Sequence, residues 1–409
     1  MELQLSIYRM SESDAVTSVE AMGSEYSLYT TFDEMELPEE LLRGVYANGF
    51  EKPSPIQQKG IVPIKNKRDL LAQAQSGTGK TGTFVTGSLT RVDPTLKAVQ
   101  VLVLAPVREL AQQIMDVATS IGKYMNNKAG ISVYSATGGS PLRDDIRAIE
   151  RGCQFLVGTP GRIYDLMNRG ILRRDNIRVL IMDEADQMLE DRFKEQVMCI
   201  LEKGFPEQTQ VVLFSATMAP EVIEVANKML RDPVRILIDS SQVPLDGIKQ
   251  LYVEMDAEEF KIEVLADLYK RLTISQALIY CNKRQRAEYL AEKMGQQGFP
   301  LSVIHGEMDA NERKKRMAEF RAGGVRVMIS TDMLARGIDV QQVSLVINYE
   351  LPLEKESYIH RIGRAGRFGR KGVTINLISP EDKKMKEEIE KHWSISMLPV
   401  PMDLASVMD

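Results

Sequence analysis

A single tryptophan, three cysteines and three histidines are spread over 409 residues. Cys153, Cys199 and Cys281 stand far apart with no CxxC pair, which argues against a disulfide framework or a structural zinc site. His305, His360 and His392 form no HExxH. Unbroken aliphatic runs such as residues 101–105 are strand-sized, whereas a membrane span needs about 20 apolar residues. The opening MELQLSIYRM has no basic stretch followed by an apolar core, so no secretory signal is read there. These absences point to a soluble protein of a reducing compartment with no membrane partner.

Bulk positive charge is also missing. The net charge is −5, but residues 1–50 hold 2 basic against 10 acidic side chains, and the rest of the chain is close to neutral. Such a body does not advertise non-specific nucleic-acid binding, so local clusters must supply any such site. The densest lies at 361–371, with five basic residues and no acid.

What is present is a globular composition, 44% hydrophobic and 27% charged, in a chain too long for one ordinary core. Residues 1–25 lack periodicity and read as a mobile acidic leader. Apolar runs at 70–74, 100–105, 131–136, 154–157, 179–182, 210–214 and 235–238 read as strands. Helix-like segments at 109–122, 162–168 and 184–201 lie between them. The alternation predicts βαβ units on a parallel sheet. The polar stretch DSSQVPLDG (239–247) reads as a linker. Strands resume near 250–253, 277–281, 301–304, 326–330, 345–348 and 374–377. The expectation is an α/β protein in two units, 26–238 and 248–409.

Ser76-Gly77-Thr78-Gly79-Lys80-Thr81 follows a predicted strand and precedes a predicted helix. Glycines let successive N–H groups turn toward a phosphate, and the helix N-terminus adds a favourable field. Lys80 is the candidate for the β- and γ-phosphates and Thr81 for Mg²⁺, although Ala74 stands at the first position of GxxxxGK[ST]. Four apolar residues then run into Asp183-Glu184-Ala185-Asp186, and carboxylates at the tip of a buried strand lie where open α/β sheets bind ligands. Asp183 is the candidate metal partner, and Glu184 the candidate to orient attacking water. The alternative is an acidic helix start, favoured by the dipole; beside the Lys80 loop, the catalytic reading dominates.

From His360 to Lys371, glycines at 363, 366 and 369 predict a loop that throws out arginines suited to phosphate. An arginine brought from beyond the linker would complete an ATPase site on domain closure; the alternative, which the block taken alone favours, is a solvated basic loop or one touching only RNA. Phe50 offers a stacking face, and the Gln57 amide can pair with adenine. Ser215-Ala216-Thr217 could relay nucleotide state or form an ordinary turn. The basic run 312–316 falls on a predicted amphipathic helix and reads as a solvated face.

In this order the blocks resemble the DEAD-box RNA helicases of superfamily two. To those above are added Pro106–Leu110, Thr137-Gly138-Gly139, Thr159-Pro160-Gly161-Arg162, His305-Gly306 and TDMLARGID (331–339), so the likeness runs from about Thr31 to the end. The resemblance implies two tandem RecA-like domains, each a mostly parallel sheet flanked by helices, holding ATP, Mg²⁺ and RNA across their cleft. It assigns catalysis to Lys80, Asp183, Glu184, His360, Arg364 and Arg367. Nucleotide contacts fall to Phe50, Lys52, Gln57, Ser76, Gly77, Thr78, Gly79, Lys80, Thr81, Gly82, Asp339, Arg364 and Arg367, and metal contacts to Thr81 and Asp183. RNA contacts fall to Pro106, Arg108, Gly139, Thr159, Arg162, Asn282, Gly306, Thr331 and Asp332, gripping sugar and phosphate without reading sequence.

Phrases such as EKPSPIQQ and LARGIDVQQVSLVINY are most similar to the translation-initiation subgroup. That likeness implies a monomeric, cytoplasmic RNA helicase, with a nuclear pool allowed, partnered by a HEAT-repeat translation scaffold. An ATP-locked RNA clamp of the exon-junction type is the alternative. Val107 and Lys283 stand where the family has Thr, Ala310 where it has Gln, and Glu350 where it has Asp. Val107 removes a hydroxyl expected to be available to a phosphate.

Overall fold

The computed structural model describes residues 29–74, 77–127, 129–189, 191–218, 220–237, 248–272, 276–335, 343–365 and 372–401. The leader, the linker and the site candidates Ser76, Asp339 and Arg367 lie outside the described residues. The first series of elements is α1 (Glu39–Ala47), α2 (Pro55–Lys65), β1 (Leu70–Gln73), α3 (Lys80–Leu89), β2 (Val101–Leu104), α4 (Arg108–Ile121), β3 (Val133–Ala136), α5 (Leu142–Glu150), β4 (Phe155–Gly158) and α6 (Pro160–Asn168). It continues with β5 (Val179–Met182), α7 (Ala185–Met188), α8 (Asp191–Glu202), β6 (Gln210–Ser215), α9 (Pro220–Met229) and β7 (Val234–Leu237).

The second series begins with β8 (Ile248–Glu254), α10 (Lys261–Arg271), β9 (Ala277–Tyr280), α11 (Arg284–Gln296), β10 (Leu301–Ile304) and α12 (Ala310–Arg321). It ends with β11 (Val327–Ser330), β12 (Leu345–Asn348), α13 (Lys355–Ile362), β13 (Gly372–Ile378), α14 (Lys383–Trp393) and β14 (Leu398–Pro399).

Among the described residues the strands form two seven-stranded parallel sheets, ordered β3-β4-β2-β5-β6-β1-β7 and β10-β11-β9-β12-β13-β8-β14. Advancing each strand number by seven converts the first order into the second, so one topology occurs twice. Parallel strands covered on both faces read as continuous apolar runs, and Val179–Met182 is buried throughout. Alternate residues serve opposite faces. Val101 and Val103 pack with Phe84, Leu110 and Ile114, while Leu102 and Leu104 pack with Ile163, Leu166 and Val197. Each such aliphatic side chain contributes about 1.5–3 kcal/mol by leaving water. Strands β3 and β10, at matching edges of the two sheets, are only half-buried over their first three residues.

Three expectations change. The helix expected over 184–201 is divided into α7, which ends at Met188, and α8, which begins at Asp191, and Glu184 stands before the first of them as its left-handed N-cap (φ 54°). His360 and Arg361 lie in the last turn of α13, not in a loop; its apolar face is buried and Gly363 ends it. The two-residue strand β14 has too short a pattern to be read from sequence.

Candidate active site

Most of the singled-out residues gather at the carboxyl ends of the strands, the edge at which open α/β sheets bind ligands. Strand β1 runs toward the glycine loop, β5 into Asp183-Glu184, β6 into Ser215-Ala216-Thr217, β2 into Pro106–Arg108 and β4 into Thr159. In the second sheet β9 leads to Asn282, β10 to His305-Gly306 and β11 to Thr331-Asp332.

Gly79 caps the start of α3 at φ 104°, and a Cβ there would lie 2.6 Å from Ser54 Oγ and 3.0 Å from Gln57 Nε2. Both the backbone angle and the close approach therefore demand glycine. Helix α3 opens at Lys80, so its first N–H groups and positive dipole end face the loop. Lys80 is buried, with Nζ 2.8 Å from Glu184 Oε1 and 3.8 Å from Asp183 Oδ1. Burial works to lower its pKa, but Glu184 and Asp183 more than reverse this and hold the ammonium charged. Burial pushes the Asp183 carboxyl up to about 7, with Lys80 opposing and Glu184 adding to the rise.

Asp186 ties the next strand to this centre. Its N–H donates to Ser215 Oγ at 3.2 Å, and its Oδ2 accepts from the Thr217 N–H at 3.1 Å and hydroxyl at 2.9 Å. From the second sheet's side, His360 Nε2 lies 3.8 Å from the same Asp186 oxygen, and both side chains are buried. Arg364 is buried too, its Nε donating to the His360 carbonyl at 3.2 Å. The serine-threonine turn is thus a partner of the acidic turn, and the arginine of the second half folds inward beside the histidine.

Thr81 is half-buried in the first turn of α3. Gly82 lies beneath the Phe50 ring and the Gln57 amide. Gln57 Oε1 accepts the Ser54 N–H at 2.8 Å in a capping box that starts α2, and its Nε2 lies 3.5 Å from the Gly79 carbonyl. Lys52 is exposed. No cluster of three or more His, Cys, Asp or Glu fit to hold a metal occurs among the described residues. A Mg²⁺ ion still fits: three buried carboxylates within four residues face one lysine, and Mg²⁺ characteristically takes one or two carboxylates plus phosphate and water oxygens.

The second group of candidates comes from both sheets' units. Pro106 is buried, Thr159 sits at the N-cap of α6, and Arg108 begins α4 with its guanidinium against Gly139. Burial lowers the Arg108 pKa, and the positive charge of Arg313 lowers it further. Arg162 is held by Asp145 and by the Ser140 carbonyl. In the second sheet, Arg361 brings Asn282 and Asp332 together, with Nη2 2.7 Å from Asn282 Oδ1 and 2.9 Å from Asp332 Oδ2. It also donates to the Glu350 carbonyl at 2.7 Å and is fully buried. Thr331 precedes Asp332, and Gly306 is exposed.

Sequence reasoning gave Arg361 no role, although it stands in the basic block, because the glycines after it pointed to a loop and hid the inner face of α13. The run 312–316 is not wholly solvated either. Arg313 Nε lies 3.4 Å from Glu109 Oε1 of α4, both nearly buried, joining the two sheets' units across a cleft of about 700 Å³. Val107 and Lys283 occupy the N-caps of α4 and α11, with no side-chain cap bond at either. Glu350 Oε2 accepts the Asn282 N–H at 2.7 Å. A hydroxyl at 107 would therefore also stand at a helix N-cap.

Comparison with known proteins is consistent across the chain. Residues 54–225 match the DEAD/DEAH box helicase model and 260–369 the helicase conserved C-terminal domain model. The ATP-dependent RNA helicase eIF4A of Chaetomium globosum is 50% identical over 378 residues, 92% of this chain and 94% of that one. Its counterpart from Aspergillus fumigatus is 52% identical over 375 residues, 92% and 91% of the two chains. The structure of S. cerevisiae Dbp5 bound to RNA and ADP BeF3 superposes with a TM-score of 0.85 at 37% identity, covering 92% of this chain and 96% of that chain.

Proposed function

Since the chain belongs to the DEAD-box RNA helicase family, an RNA-stimulated ATPase class, we propose that it uses ATP to open short RNA duplexes or strip proteins from RNA during translation initiation. The carrying observation is the composite pocket. Lys80, Asp183 and Glu184 belong to the first sheet's unit, and His360, reaching Asp186, closes it from the second.

In this reading Lys80 and the loop through Gly82 grip the phosphates, with Phe50, Lys52 and Gln57 on the base side. Thr81 and Asp183 would hold Mg²⁺, which when bound would neutralise charge building on the phosphates. Glu184 orients the attacking water, Lys80 keeping its carboxylate in place. Arg364 and Arg367 steady charge on the transferred phosphoryl group, and Asp339 takes the ribose. We place the division between the domains at 239–247.

RNA lies across Pro106, Arg108, Gly139, Thr159 and Arg162 on one domain and Asn282, Gly306, Thr331 and Asp332 on the other. The contacts are to the backbone and are therefore indifferent to sequence. Likeness to the RNA-bound Dbp5 structure supports a closed, strand-gripping arrangement. The eIF4A names among the relatives support an initiation role; a cytoplasmic monomer working with a HEAT-repeat scaffold is the form we propose for it.

Steady-state ATPase with and without single-stranded RNA, followed by release of a short labelled duplex, tests the reading. Lys80→Ala should abolish RNA-stimulated turnover. Glu184→Gln should retain ATP and trap RNA without hydrolysis. Undiminished turnover in Lys80→Ala would overturn the catalytic assignment.

A further inference from the structure

We infer that Asp145 is a positioning residue for RNA binding: it fixes the Arg162 guanidinium, and through it the turn at 137–140, in the geometry that the nucleic-acid backbone meets. The inference rests on the assignment of Arg162 and Gly139 to the RNA surface.

Asp145 lies on α5 and is fully buried. A buried carboxylate requires hydrogen-bonding partners, and two converge on it from different elements. The Tyr134 hydroxyl of β3 donates to Oδ1 at 2.9 Å, and Nη1 of Arg162 on α6 donates to Oδ2. The other end of the guanidinium, Nη2, donates to the Ser140 carbonyl at 2.8 Å. One arginine therefore ties α5, α6 and the turn between β3 and α5 into a single unit.

The turn held in this way carries Gly139 at φ 85°, and a Cβ there would lie 2.5 Å from Arg108 Nη1. Arg108 and Arg162 flank the same short segment, but the carboxylate braces Arg162. Burial pushes the Asp145 carboxyl up, while the hydrogen bonds from Arg162 and Tyr134 pull it down. The net shift is upward, so the two donors offset burial only in part.

The physical consequence concerns readiness. A guanidinium is a rigid planar fork, and fixing one edge on a carboxylate aims its remaining N–H groups. A donor already aimed loses less freedom when a phosphate arrives. Without Asp145, Arg162 would keep its charge but swing, and the Ser140 carbonyl would lose a fixed partner.

The test uses the full chain, single-stranded oligouridylate and RNA-stimulated ATPase. Asp145→Asn should raise the RNA concentration for half-maximal stimulation roughly five- to tenfold, leaving the KM for ATP and the RNA-independent rate within about twofold. Tyr134→Phe, which removes only the second donor, should move it the same way by a smaller factor and guards against misfolding of the first variant. On an Arg162→Ala background, Asp145→Asn should add nothing. A lower melting temperature with unchanged RNA half-saturation would show a merely structural acid and overturn the inference, as would additivity with Arg162→Ala. If Arg162→Ala alone leaves RNA half-saturation unmoved, the RNA assignment of Arg162 fails and takes the inference with it. If Arg162→Ala weakens RNA binding but Asp145→Asn does not, the inference alone fails.

Discussion

Val107 and Lys283 show how a single departure can be read twice. Each sits where a helix begins, α4 and α11, in extended backbone without a side-chain cap. A threonine hydroxyl there accepts an orphan N–H of the first turn and contributes roughly 0.5–2 kcal/mol relative to a non-capping residue. Val107→Thr and Lys283→Thr should each raise thermal stability by a few degrees, measured by calorimetry on the full chain, with the KM for ATP unchanged. At the other extreme stands Arg361, fully buried and bonded to Asn282, Asp332 and the Glu350 carbonyl. Asp332 is half-exposed, but Arg361→Ala would leave the Glu350 carbonyl and Asn282 Oδ1 without their donor. Each buried group left unpaired costs about 1–3 kcal/mol, so the variant should destabilise the chain in a denaturant titration. Arg361→Lys, which keeps charge but not the fork, should fall between.

Among the elements, legibility followed burial. Strand β5 is four aliphatic residues flanked by Arg178 and Asp183, and its bounds are the same in sequence and structure. Edge strand β3 is two residues shorter at its start than expected, since Ile131 and Ser132 are apolar and small without lying in the ladder. The break between α7 and α8 was hidden because the acidic turn and the helix after it share one run of helix-favouring residues. Glu184 itself stands outside the helix, as the left-handed N-cap of α7. Helix α13 hid its inward face for the opposite reason: the three glycines after it advertised a loop. Its His360 meets Asp186 while the neighbouring Arg361 holds Asn282 and Asp332. His360→Ala should therefore lower RNA-stimulated turnover at saturating RNA and ATP more than it lowers thermal stability, measured by paired ATPase and melting experiments.

For the molecule as a whole, a cleft shared by the two halves was expected from sequence, but the particular side chains that pair across it were not, because residues more than 170 positions apart meet only in the folded chain. The Arg313–Glu109 pair is the example, nearly buried on both sides. Glu109→Arg or Arg313→Glu alone would place like charges together across the cleft and should weaken RNA-stimulated ATPase about tenfold or more, as like-charge juxtaposition costs several kcal/mol. The double swap should recover part of that loss, read as non-additivity in a mutant cycle.

The twice-used strand order has a further consequence. Where β1 gives way to glycines and a lysine, its counterpart β8 gives way to Met255, Asp256, Ala257, Glu258 and Glu259, a sequence that would repel a triphosphate. On the proposed reading the repeated architecture is therefore an unequal pair, with a phosphate cradle after β1 and none after β8. Nucleotide titration should saturate at a single equivalent per chain.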